Sequence, residues 1–308
     1  MLDSYYKGYW MVTNRCNLRC SYCVLEDSPD QLKAELDLNG KKELVSHLYN
    51  KLGFRRLTLS GGEVLIFGKH PPSEFIELLR HIRSFRSSDP SKNLEIELYT
   101  NGTYIDENVA AEMNGVVDMV AVTIDSAKDN FLSDIGRNYG KNHNYYENIT
   151  KACSLLSKNG IEIKLHSVIG QKNHLILPDE VAFILDSINK VSDSVTCWKF
   201  FQYMSYDAPE RDEMHAISSD LYKQFKERIE IVLKNHNTLL HFKDNKEMND
   251  SLFNILSYGN AQYMRTNDTW STSQRTKDLR SYNSMPELFE KHDINEDLFR
   301  RFHEIRYE

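Results

Sequence analysis

The chain has 308 residues, of which 40% are hydrophobic and 27% charged, and a formal net charge of −7. This composition is typical of a soluble globular protein, and no apolar run approaches the roughly 18 residues of a membrane span. The acidic balance argues against a general nucleic-acid binder. Free cysteines and the lack of a signal-peptide pattern favour a reducing, cytoplasmic location without membrane attachment.

Strand and helix patterns alternate from the N-terminus to about residue 204. Apolar and alternating runs predict strands at residues 9–13, 57–59, 94–99, 119–124, 161–167 and 195–201. Helical spacing predicts helices at residues 31–52, 73–82, 109–113, 145–158 and 178–189. Strands separated by helices pair in parallel, and six such units with right-handed connections close most of a barrel. We therefore predict an α/β fold with a partial (β/α)6 barrel over residues 1–204.

The pattern changes at about residue 205. Residues 207–212 are polar and turn-like, 220–233 predict a helix, 239–242 a short strand, and 289–302 a helical tail. We interpret residues 205–308 as a C-terminal extension that closes the barrel mouth and contributes to the substrate site. Functional groups of such barrels lie at the carboxyl ends of the strands.

Three cysteines lie directly after the first strand, spaced C-x3-C-x2-C: Cys16, Cys20 and Cys23. A loop this tight fits around three corners of a cubic iron–sulfur cluster. Cys153 and Cys197 lie in a predicted core helix and a core strand, so one iron is left open to a small molecule. A structural zinc site needs four protein ligands, and the odd number of cysteines disagrees with a disulfide framework.

A second motif, formed by Ser60, Gly61, Gly62 and Glu63, follows the second predicted strand. Together with the cysteine spacing, it resembles the radical S-adenosylmethionine (SAM) superfamily, in which this segment pairs with the amino group of SAM. Paired glycines let the backbone approach a ligand closely, and a carboxylate suits an ammonium. Val64 stands where the family usually has proline.

Further stretches resemble the viperin family of radical SAM enzymes over essentially the whole chain. They lie at residues 125–149, 164–169, 198–202, 245–251 and 263–265. The resemblance implies conversion of a ribonucleoside triphosphate, with CTP or UTP expected, to its 3′-deoxy-3′,4′-didehydro form, an antiviral chain terminator. It also implies a [4Fe–4S] cluster, SAM and an electron donor of the flavodoxin or ferredoxin type, and we expect a monomer.

In that reaction the reduced cluster cleaves SAM, and the resulting 5′-deoxyadenosyl radical takes the C4′ hydrogen of the ribose. The 3′-hydroxyl then leaves as water. The resemblance places SAM at residues 60–63, with Thr123 near its ribose and Arg137 beside it. It places the triphosphate at Arg56, Lys164 and Lys199, and it extends the substrate site to Lys141, Asn245 and Arg265.

The chain departs from the family at two positions that matter for catalysis. His166 replaces an asparagine, and it is either a base behind the substrate or a packed polar residue. Leu252 stands where vertebrate members have a tyrosine, so Tyr263 or Tyr258 is the candidate for the late proton or electron donor. The predicted catalytic residues are Lys164, His166 and Tyr263.

Two other classes of protein remain as alternatives. The first is a radical SAM enzyme that acts on a peptide or another small molecule. Many peptide modifiers carry extra C-terminal cysteines, and none follows Cys197. The second is a redox or scaffold protein that only holds a cluster, which would need neither SAM nor cations at strand ends.

Overall fold

A sheet of parallel strands alternating with helices forms the centre of the computed structural model. The structure describes residues 4–25, 29–68, 72–89, 93–138, 144–265, 268, 270 and 272–306. The first six strands are β1 (Tyr5–Thr13), β2 (Phe54–Gly61), β3 (Glu95–Thr100), β4 (Met119–Thr123), β5 (Glu162–Ile169) and β6 (Val195–Gln202). They pair in parallel in chain order, which confirms the predicted α/β fold with parallel strands.

The strands after β6 extend this sheet at both edges. They are β7 (Leu239–Lys243), β8 (Phe253–Ile255), β9 (Asn260–Tyr263), β10 (Gln274–Asp278) and β11 (Glu304–Ile305). β7 pairs in parallel with β6, and β8 pairs in parallel with the free edge of β1. β9 and β10 continue antiparallel beyond β8, and β11 pairs antiparallel with β1. The C-terminal extension therefore shares one sheet with the barrel.

Helices cover the outer face of the sheet. They are α1 (Leu38–Asn50), α2 (Ser73–Arg83), α3 (Glu107–Met113), α4 (Asp129–Asp134), α5 (Tyr145–Lys158), α6 (Leu177–Asn189), α7 (Pro209–His215), α8 (Ser219–Val232), α9 (Asn245–Asp250), α10 (Met285–His292) and α11 (Glu296–His303). Within the described residues, no helix has both the length and the apolarity to cross a bilayer.

The two faces of each strand have different surroundings because side chains alternate along a strand. Large outward side chains such as Trp10, Leu57, Leu98 and Trp198 are fully buried against the helices. The alternate positions face the barrel interior and are largely polar, for example Thr58 and Glu97, which hydrogen-bond across neighbouring strands. The core thus lies outside the barrel strands and leaves a polar interior.

Some predicted elements differ from the structure for local reasons. The helix predicted at 31–52 begins only at Leu38, because the Asp37 side chain caps it by accepting a hydrogen bond from the Gly40 N–H at 2.8 Å. Residues predicted as a turn form α7, which starts at Pro209. The predicted tail is two helices, because Asp293 adopts a left-handed conformation (φ 51°) between them.

Candidate active site

The cysteine loop follows β1 and is held by the main chain after α4. The N–H of Arg19 donates to the carbonyl of Gly136 at 3.3 Å, and that of Ser21 donates to the carbonyl of Ile135 at 3.0 Å. Gly136 has a φ of 74°, and a Cβ there would lie 1.9 Å from the carbonyl oxygen of Arg19. Only glycine therefore allows this approach, and it fixes the middle of the loop.

Cys20 is buried, and Cys16 and Cys23 are half-buried. Burial raises the pKa of Cys20 to about 12 and also raises the pKa of Cys16. The thiols of Cys16 and Cys20 are therefore neutral until a cation binds them, because thiolate is the form that ligates a metal. The Leu18 N–H and the Asn101 side-chain amide lie 3.4 and 3.9 Å from the Cys16 sulfur. Sequence reasoning did not identify Asn101.

The glycine segment packs directly on the cysteine loop. The N–H of Gly62 donates to Thr13 at 2.8 Å, and the N–H of Glu63 donates to Arg15 at 2.8 Å. A Cβ on Gly61 would lie 2.1 Å from the Thr13 carbonyl oxygen, and one on Gly62 would lie 2.2 Å from that of Arg15. Both glycines are thus required by the contact between the ends of β1 and β2.

The carboxylate of Glu63 has a structural role. It is fully buried and accepts hydrogen bonds from the Leu65 N–H at 3.1 Å, the Thr100 hydroxyl at 2.7 Å and the Asn101 N–H at 2.7 Å. Burial raises its pKa, and these hydrogen bonds oppose that shift. The sequence pattern suggested a carboxylate facing an ammonium. In the structure this side chain ties β2 to β3, and the segment offers main-chain groups instead.

Arg137 lies in a buried network beside the cysteine loop. Its Nε lies 3.0 Å from Asp125 Oδ2 and 2.9 Å from the Tyr22 hydroxyl. The Tyr22 hydroxyl donates to the same carboxylate oxygen at 2.5 Å. The Tyr145 hydroxyl lies 3.0 Å from the Thr123 carbonyl oxygen and 3.4 Å from Arg137. The predicted SAM residues Arg137 and Thr123 therefore lie in one neighbourhood, with Asp125 compensating the buried charge.

Cations project into the barrel interior from β2, β5 and β6. The Nζ of Lys164 lies 2.6 Å from Glu97 Oε1, and the Nε of Arg56 lies 2.5 Å from Glu95 Oε2 in a more exposed pair. The Nζ of Lys199 lies 4.8 Å from the centroid of the Phe201 ring. Burial and, to a smaller extent, the charges of Lys243 and Lys164 lower the pKa of Lys199 to about 8. The predicted phosphate-binding cations thus all face the interior of the barrel.

An aromatic wall connects these cations to the cysteine loop. Tyr9 packs with Cys23 against a small apolar cluster and hydrogen-bonds Ser60. The rings of Tyr9 and Tyr99 lie 5.6 Å apart, those of Tyr99 and His166 lie 4.4 Å apart, and those of His166 and Phe201 lie 5.1 Å apart. Phe201 in turn contacts Lys199. Sequence reasoning missed Tyr9 and Tyr99, although both alternate with core residues on strands.

His166 is buried in this wall. Its Nε2 has no hydrogen-bond partner among the described residues. Burial, together with the charges of Lys199 and Lys164, holds its pKa well below the usual value. The imidazole is therefore neutral near pH 7, and one ring nitrogen remains free for a ligand.

Two other predicted residues, Tyr263 and Arg265, have their partners outside this interior, and a third, Asn245, follows β7. The Tyr263 hydroxyl donates to the His292 carbonyl at 3.1 Å, on the helix-covered side of the sheet. Arg265 pairs with Asp268 on the surface. Asn245 begins α9, and its main-chain N–H donates to Gln202 at 3.1 Å.

The remaining predicted residues are Lys141 and His143, in one loop, and Tyr258. Lys141, and with it His143, lies outside the described residues. Tyr258, the other candidate for the late donor, packs on the same small cluster as Cys23. Its hydroxyl donates to Asp30 at 2.8 Å.

Comparison with known proteins gives the following similarities. The family model described as the Radical SAM superfamily matches residues 10–175. The chain is 28% identical to GTP 3′,8-cyclase of Chlorobaculum tepidum over 159 residues, 51% of this chain and 43% of the cyclase. It is 25% identical to the Limosilactobacillus fermentum protein of the same name over 197 residues, 63% of this chain and 52% of that protein. The chain thus spans about half the length of these relatives, or less.

Two solved structures have a similar fold over nearly the whole chain. One is Streptococcus suis SuiB bound to S-adenosylmethionine, with a TM-score of 0.63 and 12% identity over 94% of this chain and 68% of that chain. The other is anSMEcpe with bound AdoMet and the Kp18Cys peptide, with a TM-score of 0.63 and 17% identity over 96% of this chain and 82% of that chain. At this identity the likeness concerns the fold.

The donor set fits an iron–sulfur cluster, because three thiols on one short loop suit separate corners of a cluster. The glycine segment and the Arg137 network lie against the same loop.

Proposed function

Because the chain belongs to the radical SAM superfamily, we propose that it is a viperin-like enzyme acting on a ribonucleoside triphosphate, CTP or UTP. The product would be the 3′-deoxy-3′,4′-didehydro form, which lacks the 3′-hydroxyl that a polymerase extends. Superfamily membership implies a [4Fe–4S] cluster and SAM as cofactors. When bound, they supply one-electron, hydrogen-abstracting chemistry, and the rest depends on where this chain holds its substrate.

The observation that carries the proposal is the group of cations inside the barrel. Lys164 and Lys199 lie on neighbouring strands, and His166, between them in the chain, pairs in register with Lys199. Positive charges in a partly desolvated interior attract a polyanion more strongly than surface charges do. A peptide or an uncharged small molecule would not need them. The triphosphate is therefore assigned to this part of the barrel.

The position of the aromatic wall orients the rest of the nucleotide. Since Tyr9 packs on the same small apolar cluster as Cys23 and its ring lies 5.6 Å from that of Tyr99, the wall extends from the side of the cysteine loop toward the proposed phosphate site. A ribose bound against it would present C4′ toward SAM, and the apolar rings would exclude water there. His166, neutral and with a free Nε2, can hydrogen-bond a ribose hydroxyl without adding charge.

The remaining parts of the proposal follow from this chemistry. A one-electron donor of the flavodoxin or ferredoxin type would reduce the cluster, and the cytoplasm would keep the cysteines reduced. We expect the chain to act as a monomer, with residues 205–308 covering the nucleotide. Tyr258 is the better-placed late donor, because it packs near Cys23 whereas Tyr263 contacts α10.

A second candidate is an activity on GTP like that named for the curated relatives. The two functions differ in product mass, since a ring closure within GTP releases no water. The reconstituted chain, SAM and dithionite are incubated anaerobically with CTP, UTP, GTP or ATP. We expect 5′-deoxyadenosine and a nucleotide lighter by one water. Cys20→Ala serves as the inactive control.

Two results would contradict the viperin-like proposal. A GTP product of unchanged mass would favour the cyclase-like candidate. 5′-Deoxyadenosine released without any change in a nucleotide would favour the peptide or small-molecule alternative.

A further inference from the structure

The barrel does not close: β7 is one end of the sheet, and on the opposite side of the seam between β7 and β1, β8 and β11 occupy the second edge of β1. β1 pairs with β2, β8 and β11, and β7 pairs with β6. Within the described part of the chain, β7 pairs with no strand on its other edge. Lys7 lies on β1 and Lys243 is the last residue of β7. Each seam strand therefore contributes one lysine.

Side chains of the extension link the Lys243 side chain to the main chain of Lys7. The Lys243 Nζ donates to the Ser251 hydroxyl at 2.7 Å. The two ring nitrogens of His303 lie 3.0 Å from the Ser251 carbonyl oxygen and 3.2 Å from that of Lys7. The contacts thus run from β7 through α9 and α11 to β1. Burial lowers the pKa of His303 to about 4, so the neutral ring donates to one of the two carbonyls and only packs against the other.

Positive charge at the seam lacks an ion-pair partner. Among the described residues, Lys7, Lys199 and Lys243 form no salt bridge, whereas Lys164 is paired with Glu97. Partial burial lowers the pKa of Lys243, the charge of Glu247 opposes this shift, and the charge of Lys7 adds to it to a smaller extent. Like charges that act on one another in this way are unfavourable, and a bound anion would relieve the repulsion.

We propose that Lys7 and Lys243 bind the outermost phosphate of the substrate's polyphosphate, which then bridges the open seam. This inference rests on the proposed function and extends its phosphate site from β5 and β6 to both seam strands. Lys199 lies beside Lys243 in the interior, so a polyphosphate chain can pass from one cation to the next. Binding would also hold the extension to the barrel.

The test is calorimetric titration of the cluster-reconstituted full chain with tripolyphosphate, pyrophosphate and orthophosphate. Lys7→Met and Lys243→Met should each weaken tripolyphosphate binding about tenfold, the typical effect of losing one charged hydrogen bond. The affinity for orthophosphate should change little, because a single phosphate bound at Lys164 and Lys199 does not reach Lys7 or Lys243. Lys243→Arg, which keeps the positive charge, should retain most of the tripolyphosphate affinity. This result would show that the loss in Lys243→Met comes from the missing charge and not from misfolding.

Two variants serve as matched controls. Lys223→Met removes an equal charge from the exposed face of α8 and should leave all three affinities unchanged. Glu247→Gln removes a negative charge that faces Lys243 and Lys199 and should tighten tripolyphosphate binding. A purely structural role for Lys243 predicts no such opposite change.

The outcomes separate this inference from the proposed function. Unchanged tripolyphosphate affinity in both lysine variants, or equal weakening for all three anions, would overturn the seam site even if nucleotide turnover is found. Wild-type chain that binds no tripolyphosphate would overturn it as well. Selective weakening without any nucleotide turnover would support the seam site and contradict the viperin-like assignment.

Discussion

Lys164 of β5 reaches past β4 to Glu97 of β3, with its Nζ 2.6 Å from the carboxylate oxygen. The residue of β4 in register with Lys164 is Ala121, whose small side chain leaves room for this crossing. Both partners are mostly buried, with side-chain exposures of 19% and 15%. The Thr58 hydroxyl donates to the other carboxylate oxygen at 3.1 Å. Glu97 therefore holds in place a cation that we assign to the substrate.

Glu97→Gln should destabilise the protein, because it leaves Lys164 charged and partly buried without a counter-ion. We expect a loss of about 1–3 kcal/mol in the free energy of unfolding, measured by urea denaturation at pH 7. Glu95→Gln is the matched control, since the exposures in its pair with Arg56 are 43% and 45%, and should cost under about 1 kcal/mol. Equal losses in both variants would mean that burial does not distinguish the two pairs.

Lys164→Ala and Lys199→Ala should each weaken nucleoside triphosphate binding. Removing a cation from a partly desolvated polyanion site costs about 1.5–3 kcal/mol, roughly ten- to hundredfold in the dissociation constant. The loss should be much smaller for the monophosphate, which has fewer negative oxygens. Calorimetry with the mono-, di- and triphosphate of one nucleoside measures this. Equal weakening across the series would place these lysines elsewhere than at the triphosphate.

Triphosphate affinity should fall as the pH rises above about 8. The pKa of Lys199 in the free protein is lowered to about 8, so the lysine is charged below that pH and must take up a proton to bind a polyanion above it. The charged and titratable groups facing it are Lys164, Lys243, Glu97, Glu247, His166 and His241. Lys199→Arg should remove this dependence of the triphosphate affinity on pH. Affinity that is flat from pH 7 to 9.5 would contradict the assignment.

Gly136→Ala should disturb the cysteine loop without removing a ligand. The added Cβ would lie 1.9 Å from the Arg19 carbonyl oxygen, so the loop must move and reconstituted iron content and SAM cleavage should drop. Gly115→Ala is the control, because its φ is also positive at 69° but its Cβ would meet nothing within 4 Å. It should cost only about 1 kcal/mol of backbone strain and retain full iron content. Similar iron loss in both variants would rule out the steric contact as its cause.

The features that local spacing encodes were predictable from the sequence. The three cysteines, the helix at 145–158 and the inward lysines lie where the patterns placed them, because each depends on neighbours in the chain. The hydrogen bonds of the Glu63 carboxylate were not predicted, since its partners Thr100 and Asn101 lie at the end of the next strand. The pairing of β8 with β1 was missed because a three-residue strand has no pattern of its own. Both depend on contacts between distant segments.

We propose that this chain abstracts hydrogen from C4′ of a nucleotide ribose. The most direct measurement is mass spectrometry of 5′-deoxyadenosine after turnover with nucleoside triphosphates deuterated at C4′, C2′ or C5′. Our account predicts deuterium in 5′-deoxyadenosine only from the C4′ position, and no product from a 3′-deoxynucleotide. Transfer from C2′ or C5′, or no transfer from any position, would contradict it.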